Sequence, residues 1–122
     1  MNVQSVTSFP QKKKIYVPAT STLHIIEQEE IIRIQSISNY SKLFFNNGQT
    51  LVVAKLLRWF EEQLPTDDFA RVHRTHLVNM NYICQSRFDN TGGKLKLVNG
   101  EDIDVSKRRK RGFMKTLQSR SG

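Results

Sequence analysis

Apolar residues recur along this chain with two different periods, and the change of period marks its elements. Ile31-Ile32-Arg33-Ile34-Gln35-Ser36-Ile37 is dense in β-branched side chains and predicts a strand. Leu43-Phe44-Phe45-Asn46 and Gln49-Thr50-Leu51-Val52 flank Asn47-Gly48, a pair that supplies the positive φ angles of a two-residue hairpin turn. The same arrangement returns at Lys94 to Val98, Asn99-Gly100 and Glu101 to Val105. There Leu95 and Leu97 alternate with Lys94 and Lys96, while Ile103 and Val105 alternate with Asp102 and Asp104, as in a half-buried antiparallel hairpin. Shorter strands are expected at Lys14 to Val17, closed by Pro18, at Thr22 to Ile26, and at Tyr82-Ile83, with Glu27 to Glu30 as a single turn.

Between the hairpins the period lengthens. Val53, Leu56, Leu57, Phe60 and Leu64 fall at helical spacing, opposite Lys55, Arg58, Glu61 and Glu62. Pro65 ends that helix, because it forces the preceding residue out of the α region. A second helix is expected after Ser106, a good N-cap, with Phe113 and Leu117 on its buried side and Gly112 weakening it. The pattern predicts a mainly β fold of small antiparallel sheets with one or two peripheral helices. At 122 residues it is one compact domain, read here as a flexible leader over 1–13, the domain over 14–118 and a tail over 119–122.

Charge then narrows the class. Nineteen Lys and Arg against eleven Asp and Glu leave a formal charge of +8, a balance that concentrates polyanions around the surface. No apolar run approaches the roughly 18 to 20 residues of a membrane span, and no stretch of signal-peptide character follows the N-terminus, so a cytoplasmic protein is expected. Cys84 is the only cysteine, which rules out an intrachain disulfide, and its apolar neighbourhood reads as core.

Three segments carry candidate chemistry. Ser106-Lys107-Arg108-Arg109-Lys110-Arg111 would crowd five cations onto a helix end that already bears partial positive charge. That placement is unfavourable alone and is reversed in sign by a bound phosphate. Phe69-Ala70-Arg71-Val72-His73-Arg74-Thr75-His76-Leu77-Val78-Asn79 gathers Arg71, His73, Arg74 and His76 as donors beside the Thr75 hydroxyl, and arginine can bond bidentately to guanine. Ser38-Asn39-Tyr40-Ser41-Lys42 is a polar loop that gains weight only beside the other two. His73 and His76, with His24 and Cys84, lack the carboxylate or second cysteine a metal site needs, so no metal and no cofactor is expected. There is no Gly-rich phosphate loop, nucleophile elbow or H-E-x-x-H motif, so an enzyme is not expected either.

From about Lys14 to Leu117 the chain resembles the LytTR family of bacterial DNA-binding domains. The segment from Phe69 to Asn79 is similar to the family's F-x-R-x-H-R-S-x-L-V-N signature, with Thr75 in place of the commoner Ser. Asn99-Gly100 and Val105-Ser106-Lys107-Arg108-Arg109 are similar to its N-G…V-S-R-R close, and Asn39-Tyr40 falls where such domains carry Asn-Tyr. The resemblance implies an elongated, mostly β fold whose loops enter successive major grooves of double-stranded DNA. Carried over by position, it implies base reading by Ser41 or its neighbour Lys42, by Arg74 and by Arg108. Phosphate contacts are implied for Asn39, Tyr40, Thr75, Ser106, Lys107, Arg109 and Arg111, while His73 and Asn79 order the loop that presents Arg74. The implied partner is a promoter with direct repeats, bound by two copies. Nothing before Lys14 is long enough for a receiver domain. The expectation is therefore a stand-alone regulator, towards which Met1 and the leader lean, controlled by another signalling partner, or else a piece of a longer regulator. The rival readings are an RNA- or single-strand-binding β module, for which only Tyr40 and Tyr82 offer stacking surfaces, and a protein-interaction module without DNA binding.

Overall fold

The structure is a computed structural model and describes residues 13–120. Of the expected leader all but Lys13 lies outside the described residues, as do the last two residues of the expected tail. Among the described residues ten strands form three antiparallel sheets, with two α-helices beside them. Strands β1 (Lys14–Pro18) and β2 (Leu23–Glu27) make a two-stranded sheet. Strands β3 (Ile31–Ile37), β4 (Tyr40–Phe45), β5 (Thr50–Val53), β6 (Phe69–His73) and β7 (His76–Asn79) form a central sheet in the order β5-β4-β3-β7-β6. Strands β8 (Ile83–Asp89), β9 (Gly92–Leu97) and β10 (Asp102–Ser106) form the third. Helix α1 (Leu57–Gln63) links β5 to β6, and α2 (Lys107–Arg120) follows β10.

The central sheet is buried on both faces, which explains the long apolar run of β3. On one face Ile31, Ile34, Leu43 and Leu77 pack with Ile15, Val17 and Ile26 of the first hairpin and with Leu57 and Phe60 of α1. On the other, Ile32, Val72 and Val78 meet Leu95, Leu97, Ile103 and Val105 of the third sheet and Phe113 of α2. A bulge at Ile32 makes this division work. Ile31 pairs with Phe45 and Arg33 with Phe44, so Ile32 is an extra residue in the ladder. The insertion reverses the alternation and lets Ile31 and Ile34, three apart, serve the same core.

Arg33 is the buried charge of that strand. Its Nε and Nη2 donate to the two carboxylate oxygens of Glu101 at 3.0 Å each, Nη1 donates to Gln35 Oε1 at 3.0 Å, and its guanidinium lies 3.6 Å from the centre of the Phe44 ring. This pair ties the Asn99-Gly100 turn to the central sheet, and Arg33 holds the Glu101 carboxyl below the usual carboxylate range.

Several boundaries differ from expectation. Val53 does not begin a helix. It pairs with Ser41 in β5 and is buried, and Leu56 has extended backbone angles, so α1 starts only at Leu57. The helical spacing of Val53 and Leu57 arises because strand and helix bury residues in the same core. Cys84 is exposed rather than core, because it is the unpaired residue of a bulge in the outer strand β8, where Ile83 pairs with Leu97 and Gln85 with Lys96. The polar loop at 38–42 contracts to Ser38-Asn39, since Tyr40 to Lys42 pair with Ile37 to Gln35. Helix α2 runs on to Arg120, two residues into the expected tail.

Candidate nucleic-acid interface

The two-residue turn Arg74-Thr75 joins β6 to β7, and Arg74 is exposed at its tip. Its carbonyl side is gripped by Arg71. Nε of Arg71 donates to the His73 carbonyl at 3.1 Å and Nη2 to the Arg74 carbonyl at 2.6 Å, while Nη1 pairs with Glu61 of α1 at 2.8 Å. Inside the turn the Thr75 hydroxyl sits between two imidazoles, 2.8 Å from His73 Nδ1 and 3.0 Å from His76 Nδ1. The Thr75 amide also donates to His73 Nδ1 at 3.2 Å, so that nitrogen is an acceptor. The consistent assignment has the hydroxyl donating to His73 and accepting from His76. Burial pushes the His76 imidazole down to about 4, with Arg33 and His73 adding to the effect, so the ring is neutral at pH 7.

This turn stands between the other two segments. The Ser36 amide donates to the Thr75 carbonyl at 2.9 Å, which joins it to the base of the Ser38-Asn39 turn. His73 and Ser106 line one cleft, and Arg71, Glu61, Arg108 and Arg109 line another. The sequence-distant segments therefore meet around β6 and β7. Helix α2 packs along β6 and against β9 and β10, which brings its first turn beside the edge of the central sheet. Ser106 caps that helix through Oγ, which accepts from the Arg109 amide at 3.3 Å. Its first turn holds no acidic residue. Lys107, Arg108 and Arg111 are exposed, Arg109 and Lys110 half-buried, and Lys110 donates to the Asp89 carbonyl.

At the Ser38-Asn39 turn, Ser38 takes φ 55°, in the left-handed region, and Asn39 and Tyr40 are exposed. Ser41 is a correction. Its side chain is fully buried and its hydroxyl donates to the Lys55 carbonyl at 2.6 Å, so it has no surface to offer a base. The strand alternation turns Ser41 inward beside Leu43 and leaves Lys42, half-buried, on the other side with Nζ 5.2 Å from the Phe44 ring centre. Asn79 is fully buried, donating to the Ile31 carbonyl at 2.9 Å and accepting from the Asn81 amide at 3.0 Å. Its place is structural. Tyr82 is half-buried, with its hydroxyl bonded to the Glu29 carbonyl.

Sequence reasoning missed Glu61 and Arg33 as parts of this assembly. Glu61 lies on the polar stripe of a helix and Arg33 in an apolar strand, and in neither case does local spacing point to the distant partner. No helix among the described residues is long and apolar enough to cross a membrane.

The LytTr DNA-binding domain family matches residues 21–118. Among solved structures the chain is similar to the LytTr DNA-binding domain of a protein described as a methyl-accepting/DNA response regulator from Bacillus cereus. That match has a TM-score of 0.74 and 24% identity, and it covers 88% of this chain and 98% of the other. No curated protein matches the chain.

Proposed function

Because the chain belongs to the LytTr family of DNA-binding domains, we propose that it is a sequence-specific transcriptional regulator of double-stranded DNA and not an enzyme. The Ser38-Asn39 turn, the Arg74-Thr75 turn and the start of α2 enter successive major grooves, with two copies seated on a direct repeat. The observation that carries the reading is Arg74, exposed at the tip of a turn held by Arg71, His73 and His76, with Arg71 sharing a cleft with Arg108 and Arg109 of α2. A bidentate contact to guanine demands such a fixed donor, while phosphate contacts tolerate mobile ones.

In this reading Arg74, Arg108 and, of the two neighbours Ser41 and Lys42, Lys42 reach base edges. Asn39, Tyr40, Lys107, Arg109 and Arg111 contact phosphates, as do the Thr75 and Ser106 hydroxyls. The Thr75 hydroxyl already has two imidazole partners, so a phosphate there replaces one of them. The control input comes from a signalling partner, and the site of action is the cytoplasmic nucleoid.

Binding selection from a randomised duplex pool at near-physiological salt tests this. Enrichment of a short motif, in two spaced copies of the same orientation, is the expected result. Retention of all duplexes alike would reduce the cations to general anchoring, and preference for single strands would favour the RNA-type reading.

A further inference from the structure

We propose that Arg71 is the positioning residue for base reading: together with Glu61 it clamps the turn that aims Arg74, without itself touching DNA. The inference rests on the reading of Arg74 given above. An arginine beside a polyanion site ordinarily serves as a phosphate ligand, but each of the three guanidinium nitrogens of Arg71 already has a partner within the protein. Nε and Nη2 close on the carbonyls of His73 and Arg74, and Nη1 is paired with Glu61. Its side chain is only 15% exposed. One carbonyl ends β6 and the other opens the turn, so the planar guanidinium sets the direction in which the chain leaves β6 and the place from which the Arg74 side chain departs.

The strand needs this help. Between Arg71 and His73 the register with β7 shifts, so the ladder is interrupted where the turn begins. Glu61 has a second part. It neutralises Arg71 next to Arg108 and Arg109, so the clamp sits among cations without adding to their repulsion. Through Glu61 the clamp also makes α1 part of the reading apparatus.

The test uses the full chain and a double-mutant cycle read on cognate and random duplexes. Arg71→Lys keeps the charge but cannot span two carbonyls and a carboxylate at once. It is expected to lower the melting temperature modestly, to leave the affinity of the folded chain for random duplex nearly unchanged and to weaken cognate binding about tenfold. In an Arg74→Ala background the same change is expected to alter cognate binding by less than about twofold, because Arg71 acts only through Arg74. Equal losses on cognate and random duplex, or an undiminished loss in the Arg74→Ala background, would overturn the clamp.

Should Arg71→Lys not fold, Glu61→Gln on the exposed side of the pair serves instead. Loss of discrimination with random binding unchanged or stronger supports the clamp, while equal gains on both duplexes reduce Glu61 to a bulk charge and overturn it. A wild-type chain without any sequence preference overturns both this inference and the function it rests on. Wild-type preference that survives both substitutions overturns the clamp alone.

Discussion

Two tight turns stand at the same end of the central sheet and are held in different ways. The Arg74-Thr75 turn is braced on its carbonyls by Arg71, through its hydroxyl by His73 and His76, and by the Ser36 amide on the Thr75 carbonyl. The Ser38-Asn39 turn is closed by the pairing of Ile37 with Tyr40, carries Ser38 in a left-handed conformation, and is anchored one step further back by the buried Ser41. Asn39 and Tyr40 project from it into solvent. The difference matches what each contact requires. Reading a base edge needs a donor held to within about 0.5 Å, whereas a phosphate accepts donors from many directions. The braced turn suits discrimination and the barer one suits anchoring.

The strongest way to break the comparison is from below. Leu77 and Leu43 are both fully buried in the same core, one under each turn. Leu77→Ala and Leu43→Ala should each cost about 2–5 kcal/mol of stability in urea denaturation, because both leave a cavity. A much smaller loss at either site would mean that its platform is looser than the packing indicates.

Next in size is binding. Arg74→Ala should cost about 1–3 kcal/mol on the cognate duplex and little on random DNA. Lys42→Ala should cost less than about 1 kcal/mol on the cognate duplex and little on random DNA, since a half-buried lysine beside the barer turn offers a base edge a single point of contact and not a bidentate fork. If titrations ranked the two in the opposite order, the division of roles would be wrong.

Acid sharpens the contrast further. The folded His76 value of about 4 lies below the ordinary 6.5. Between those values the unfolded chain takes up a proton that the folded chain refuses, so His76 makes stability fall as pH drops from 6.5 to about 4 and has no such effect above that window. Melting temperatures at pH 7 and pH 5 should diverge more for the wild type than for His76→Asn, and identical slopes would show that His76 does not carry the effect.

The smallest expected change is at the other turn. Ser38→Gly suits φ 55° and should stabilise the fold by up to about 1 kcal/mol in thermal melts, less whatever the freer unfolded chain takes back. Clear destabilisation would mean that the Ser38 side chain holds its turn after all.

Much of this was legible in the chain itself. The two Asn-Gly hairpins, the strand at Ile31 to Ile37, the helix after Ser106 and the mainly β class follow from alternation and turn chemistry, which act between near neighbours. The cationic run at Lys107 to Arg111 was equally plain. Where local reasoning failed, a long-range contact had decided the outcome. Val53 looked helical because it shares a core with Leu57, Cys84 looked buried until a bulge turned it out, and Ser41 looked available until pairing with Val53 set it inward. Sequence alone determined which segments are cationic, which alternate and where the chain reverses, since those depend on residues a few positions apart. Only the tertiary structure decided that Arg71 spends its donors on the turn and on Glu61, that Arg33 finds Glu101, and that three segments far apart in the chain gather around β6 and β7. Those choices depend on strand order and bulges, and a side chain's partner across a sheet leaves no periodic mark on either stretch of sequence.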